Sequence, residues 1–388
     1  MIGASSTPLR LMNQSPPPAP IFIARPAALE RLARLLRHES IIAVDTESNS
    51  LYAYQEQVCL IQFSTHEYDY VVDPLALLDL SALGPVFSDP KIEKVFHAAE
   101  YDLICMKRDF GFDFANIFDT MVAARILGRN EVGLGSILEA EFGVRLDKRF
   151  QRANWGRRPI PPDLLAYAQL DTHYLIPLRD KLRSALEEKA YVALAQEDFE
   201  RITAVNGRSL DAKSPDCWRI TGARDISPQQ AAVLQELCRF RHQAARHANR
   251  PLFKIIGDRT MMEIAERCPK DLQQLQQIPG MSPGQVDRYG AEVLKAVQRG
   301  LAAPPIYPPT FPRPDERFLA RLDALRTWRK STGLKMGVPS DVVLPRDLMT
   351  ALAEANPRQP EELAQVMKSV PWRLEQFGEA ILRVMARR

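Results

Sequence analysis

Two carboxylates one residue apart close a short apolar run: Ile41-Ile42-Ala43-Val44 leads directly into Asp45-Thr46-Glu47. Residues i and i+2 of a strand project from the same face, so both acids are expected to leave the strand end together. A second pair is Tyr167 and Asp171, whose i, i+4 spacing stacks them on one face of a helix. A third group sits in His97-Ala98-Ala99-Glu100-Tyr101-Asp102-Leu103, where a strand gives way to a helix and either Glu100 or Asp102 is a candidate. Singly, each reads as a helix cap, a first-turn acid or a surface pair. Jointly they would bring four carboxylates into one pocket. Two like charges about 4 Å apart repel by roughly 4 kcal/mol at an effective dielectric of 20. Such a pocket partly protonates unless cations bind in it. Hard oxygen donors without His or Cys favour Mg²⁺ or Mn²⁺. Two such ions about 3.5–4 Å apart form a clamp for in-line displacement at phosphorus.

The elements that must position these groups are legible in the hydrophobic pattern. Residues 27–38 place Leu29, Leu32, Leu35 and Leu36 on one helical face. Residues 41–45, 57–64, 69–73 and 94–97 are predicted strands, rich in β-branched and aromatic residues. Helical patterns cover 99–109, 119–128, 134–142 and 163–187. Early strands with later interleaved helices predict an α/β or α+β domain over residues 21–205. Residues 1–20, ending in a proline cluster, read as a disordered leader.

From about residue 225 the pattern is helical, and residues 304–314 interrupt it with six prolines. That density cannot continue a helix, so residues 301–314 are a stiff linker. The segments on either side repeat at a shift of 88 residues: Leu234 falls on Leu322, Arg241 on Arg329, Pro251 on Pro339, Pro283 on Pro371 and Gly290 on Gly378. Two copies of one helical module are predicted, over 225–300 and 315–386.

The 388-residue chain, 46% hydrophobic and 26% charged, has ordinary globular composition, which excludes a wholly disordered protein. It has no apolar run near the ~20 residues needed to span a bilayer, and its start lacks a secretory h-region. Five scattered cysteines suggest neither a disulfide framework nor a cysteine zinc site, so a reduced, cytoplasmic setting is expected. Charge is uneven. Residues 201–388 hold 30 basic and 20 acidic side chains, a net +10, while residues 1–200 stand at −7. This asymmetry suits an acidic site in one half and a polyanion-binding surface in the other. The helical modules, with Arg239, Arg241, Arg246, Arg250, Arg329 and Lys330 as candidate phosphate contacts, are expected to recruit substrate. Residues 145–158 also mix Lys148, Arg149, Arg152 and Arg158 with Phe150 and Trp155, a pattern that can grip phosphates and stack bases.

Val44-Asp45-Thr46-Glu47-Ser48, Val95-Phe96-His97-Ala98-Ala99-Glu100-Tyr101-Asp102-Leu103 and Tyr167-Ala168-Gln169-Leu170-Asp171 together resemble the three motifs of the ribonuclease D family, a branch of the DEDD (DnaQ-like) 3′–5′ exonucleases. The two modules resemble HRDC domains. The resemblance spans about residues 21–386. It implies an α/β exonuclease domain (ribonuclease H-like, a mixed sheet flanked by helices) followed by two all-α modules. It selects Asp102 over Glu100 and makes Asp45, Glu47, Asp102 and Asp171 the ligands of two divalent metal ions, Mg²⁺ or Mn²⁺. Tyr167 becomes the residue that positions or deprotonates water, and His173 is structural. The implied activity is metal-dependent 3′–5′ exoribonuclease trimming of single-stranded 3′ ends of structured RNA such as tRNA precursors, releasing nucleoside 5′-monophosphates. Single-stranded DNA is an alternative substrate, and a catalytically silent nucleic-acid-binding scaffold is an alternative role. A monomer that does not enter the membrane is expected.

Overall fold

The computed structural model describes residues 17–207, 217–310 and 315–386, without the side chain of Lys148. Most of the expected leader lies outside the described residues. The α/β part runs β1 (Ile21–Ile23), α1 (Pro26–Leu36), β2 (Ile41–Ser48), β3 (Val58–Ser64), β4 (Asp69–Val72), α2 (Gly84–Ser88), β5 (Glu93–Phe96), α3 (Glu100–Phe110), β6 (Ile117–Asp119), α4 (Thr120–Ile126), α5 (Leu134–Phe142), α6 (Pro162–His173), α7 (Leu175–Glu188) and α8 (Val192–Thr203). The strands form one mixed sheet in the order β1-β4-β3-β2-β5-β6. β2 pairs parallel with β5 and β5 with β6, whereas β3 and β4 are antiparallel.

Alternation along β2 sorts its side chains between two cores. Ile42 and Val44 enter a cluster with Leu32 of α1 and Leu103 of α3, while Ile41 and Ala43 join Leu175, Leu178 and Leu182 of α7. Asp45 and Glu47 continue the second set, so period-2 geometry aims them at the face that α6 and α7 cover. The helix predicted over 163–187 is two helices, broken at Tyr174. Pro177 is the reason: it has no N–H, and its ring would meet the carbonyl of residue 173 in a continuous helix. β1 and β6, three residues each, carry too little pattern to be read beforehand.

The helical part consists of α9 (Pro228–Ala248), α10 (Leu252–Ile255), α11 (Asp258–Arg267), α12 (Leu272–Gln276) and α13 (Pro283–Ala302), then α14 (Glu316–Met336), α15 (Ser340–Val343), α16 (Arg346–Ala355), α17 (Pro360–Val366) and α18 (Pro371–Ala386). Every helix of the second set begins 88 residues after its counterpart. Left-handed residues repeat too: Asn249 matches Gly337, and Cys268 matches Asn356. Arg241 and Arg329, candidates for phosphate contact, work inside their modules instead. Each donates through Nη1 to an equivalent carbonyl, that of Ile256 at 3.2 Å and of Leu344 at 2.8 Å. Cys217 and Cys238 are joined as a disulfide with Cα atoms 6.3 Å apart. This departs from the expected unpaired cysteines, because spacing along the chain carried no sign of the proximity.

The chain divides into two compact units, one holding the α/β part with the second module, the other the first module with residues 48–57. Within the latter, the Tyr54 N–H donates to Asn249 Oδ1 at 3.2 Å, and the Tyr54 hydroxyl lies 3.1 Å from His242 Nδ1. Helices α9 and α13 touch at Gly300, where an added Cβ would stand 2.3 Å from the Val233 Cα. Backbone cannot yield as a side-chain tip can. Gly300→Ala is therefore expected to cost about 1–3 kcal/mol, read as a lowered Tm; an unchanged Tm would show that the helices can part freely there.

Candidate active site

The end of β2 and the middle of α6 deliver the acids to one place. Ligand oxygens of Asp45, Glu47 and Asp171 all lie within 4.8 Å of one another. Pro161 and Pro162 start α6, and the fixed φ of proline is preorganised for a first turn. One turn before Asp171, Tyr167 is buried with its ring against Phe150 and Trp155, at centroid distances of 5.6 and 6.2 Å. Asp102, in the first turn of α3, stands outside the three-residue cluster. Its Oδ1 accepts a hydrogen bond from the hydroxyl of Thr46, the residue between the two β2 acids. Sequence reasoning passed over this link, since Thr46 reads only as a spacer.

Electrostatics agree with the geometry. Burial, and next the charge of Asp171, raises Asp45 well above the usual carboxylate range. Burial followed by the charges of Asp45, Asp171 and Asp102 does the same to Glu47, and burial followed by Asp45 raises Asp102. Burial and then Asp102 push Asp171 up to about 7. These groups cannot all ionise in a dry pocket without a counter-charge. The donor set is oxygen only, which fits a hard divalent cation.

A carboxyl with a raised folded-state pKa adds stability that is full below its unfolded value, near 4, and lost as pH rises through the folded value, about 7 for Asp171. The metal-free Tm is expected to fall between about pH 4 and pH 7, Asp171→Asn should flatten that fall, and Mg²⁺ should restore Tm at the upper end. Identical pH profiles for the metal-free wild type and Asp171→Asn would contradict a shared, desolvated acid pocket.

The basic segment is used differently from expectation. Trp155, expected as a stacking platform, is 2% exposed and lies in a core with Leu60, Val71, Tyr167 and Ala168. Arg158 forks onto Asp73, at 2.7 and 2.6 Å, and also donates to the carbonyls of Trp155 and Cys59. Trp155 thus packs against Tyr167 of α6, and Arg158 ties its own loop to β3 and to Asp73 just after β4. Arg149 is exposed and paired with Asp147, Arg152 lies beside it in the same short turn, and the side chain of Lys148 is outside the described residues. His173 holds Asp69 at 2.8 Å, a structural role as expected.

A mixed sheet bearing clustered carboxylates at one strand end, with a Tyr–Asp pair on the covering helix, offers an oxygen-only site of the kind that holds hard divalent cations. A family profile described as 3′-5′ exonuclease matches residues 20–187, and the HRDC domain profile matches 230–297 and 318–385. The ribonuclease D of Acidiphilium cryptum is 30% identical over 309 residues, covering 79% of this chain and 78% of that protein. The crystal structure of Escherichia coli RNase D, an exoribonuclease involved in structured RNA processing, superposes with a TM-score of 0.69 at 25% identity over 95% of this chain and 99% of that one. Protein RRP6-like 3 of Arabidopsis thaliana is 42% identical over 171 residues, but the chain spans only 19% of its length. The chain belongs to the ribonuclease D family of 3′–5′ exoribonucleases. Among the described residues, no helix is long and apolar enough to cross a membrane.

Proposed function

We propose that this chain trims single-stranded 3′ ends of structured RNA, tRNA precursors among them, releasing nucleoside 5′-monophosphates one at a time. The observation that carries this reading is the convergence of Asp45, Glu47 and Asp171 within 4.8 Å, one helical turn from Tyr167. Asp45, Glu47, Asp102 and Asp171 would hold two divalent ions, Mg²⁺ or Mn²⁺. Bound there, the ions would supply charge to stabilise the attacking and leaving oxygens of an in-line displacement. Burial, and next the charges of Asp171, Glu47 and Asp45, raises the Tyr167 phenol above its ordinary pKa. Tyr167 thus keeps its proton near neutral pH and orients water through its hydroxyl, while Phe150 and Trp155 fix its ring. Lys148, Arg149 and Arg152 are assigned to the phosphates of the incoming strand. The domains are assigned as 21–205 for the exonuclease and 225–300 and 315–386 for the HRDC-type modules.

The test is digestion of matched single-stranded RNA and DNA with Mg²⁺ and then Mn²⁺. A 5′-labelled RNA should give a descending ladder, and a 3′-labelled RNA free mononucleotide from the first time point. Primary internal cuts would overturn the exonucleolytic reading, and faster cleavage of DNA would overturn the RNA assignment.

A further inference from the structure

The two HRDC-type modules share an interior but not a surface. The second meets the α/β part through Arg373, at the start of α18, which is fully buried. Its Nη1 donates to Glu197 Oε2 at 2.8 Å, its Nη2 to Asp198 Oδ2 at 2.9 Å and to the Val342 carbonyl at 2.8 Å. Glu197 also accepts from the backbone N–H groups of Trp372 and Arg373. Trp372 sits edge-on to Tyr191, Arg201 pairs with Asp347 at 2.7 Å, and Arg125 pairs with Asp341. Val338, Val342 and Val343 enter the same buried cluster as Ala123, Leu194 and Phe199. A Cβ on Gly128 would stand 2.1 Å from the Gly337 carbonyl oxygen.

At a distance of 88 residues, Phe253 stands for Asp341, Arg259 for Asp347, Gly284 for Trp372, Gln285 for Arg373, Lys254 for Val342 and Arg250 for Val338, while Ile255 keeps the apolar character of Val343. Phe253 and Arg259 lack the carboxylates of Asp341 and Asp347, Gly284 lacks a ring, and Gln285 lacks the charge of Arg373. The internal positions, by contrast, are kept, as Arg241 and Arg329 show. Divergence between the copies therefore reaches the docking face while the carbonyl-capping arginine and the helix frame stay the same.

We propose that the second module is a permanent wall of the exonuclease domain that positions the metal site, not a mobile arm that recruits RNA. A guanidinium buried between two acids cannot leave without stranding charge on both sides, so undocking is opposed throughout turnover. The wall reaches the site through α8. Glu197 and Asp198 anchor that helix to the module, and at its other end Lys107 of α3 donates to the carbonyls of Thr203 and Val205, at 2.6 and 2.8 Å. Helix α3 carries Asp102. This last link rests on the assignment of Asp102 as a metal ligand; the docking itself does not.

Two measurements on the full chain test the proposal. In a Cys268→Ser background, where Cys59 and Cys105 are buried, a short bis-maleimide is used to join Arg125→Cys to Asp341→Cys. The tethered enzyme should match its untethered control in kcat and KM. Loss of turnover on tethering would show that the module must undock, and would overturn the wall. Arg373→Met combined with Glu197→Gln, which removes both fully buried charges and leaves the partly exposed Asp198 beside Arg201, should weaken Mn²⁺ binding, read by electron paramagnetic resonance, by about tenfold, the lower end of outer-shell effects. Arg373→Lys should recover part of that loss, and RNA affinity measured without metal should be unchanged. Weaker RNA binding with unaltered Mn²⁺ affinity would identify the module as an RNA-binding arm instead. If tethering is harmless but neither affinity moves, the wall stands and the link through Asp102 fails.

Discussion

Asp45→Asn is expected to abolish hydrolysis while leaving the metal-free protein at least as stable as the wild type. The two halves of this outcome have one cause. Asp45 stands within 4.8 Å of Glu47 and Asp171, so its charge is unfavourable until cations neutralise it. The amide removes that repulsion and removes a ligand with it. Altering partners outside the first coordination sphere already lowers metal affinity or activity about 10–100-fold, so losing a ligand charge should lower kcat by at least ~10²-fold. Asp171→Asn should behave alike. Tyr167→Phe should keep Mn²⁺ binding yet lose on the order of 10²-fold in turnover, since only a positioned hydroxyl is lost. The measurements are kcat on a single-stranded RNA and the Tm without metal, taken on the same preparations. Near-normal turnover by folded Asp45→Asn would remove Asp45 from the metal site. A lowered Tm would instead mean that the residue serves the fold.

The acids were legible because their chemistry imposes spacing within single elements. Asp45 and Glu47 share a strand face at i, i+2, and Tyr167 and Asp171 share a helix face at i, i+4. Asp102 was not separable from Glu100 on physical grounds, as both fall in the first turn of α3. Only the motif resemblance distinguished them. Where the reading failed, the missing information was three-dimensional. A run of basic and aromatic residues looks the same whether its aromatics face RNA or a core, and Trp155 faces the core. Arg241 and Arg329 look like surface cations, but the carbonyls they cap lie 15 residues further along the chain in each module. The Arg373–Glu197 contact joins residues 176 positions apart, well beyond any local pattern. The 88-residue repeat was fully legible, because packing and turn residues recur even where the surface has diverged.

Asp119 caps α4 and also holds the turn that starts α3, and its replacement by Ala should be the most damaging single change to the fold near the metal ligands. The side chain is 1% exposed. Its Oδ1 accepts the N–H groups of Met121 and Val122, at 2.8 and 3.0 Å, capping α4. The same carboxylate accepts the N–H of Ala98 at 3.1 Å and, through Oδ2, that of Ala99 at 2.8 Å. Ala98 is held at φ 63°, a left-handed conformation that a residue with a Cβ adopts at a cost. The turn it makes launches α3, and Asp102 follows three residues after Ala99. Removing the carboxylate strands two N–H groups at about 1–3 kcal/mol each and loses a cap worth ~0.5–2 kcal/mol. Asp119→Ala should thus cost on the order of 4 kcal/mol, a large share of the ~5–15 kcal/mol that holds a domain folded. Asp119→Asn separates the two duties. Its carbonyl oxygen can still cap α4, but its amide N–H groups face the Ala99 N–H, donor against donor. Most of the stability should return, to within about 2 kcal/mol of wild type, while Mn²⁺ binding and turnover stay depressed because the start of α3 is no longer held. Equal recovery of stability and metal affinity in Asp119→Asn would show that the cap alone matters. Recovery of stability without metal affinity would place Asp119 among the residues that position Asp102.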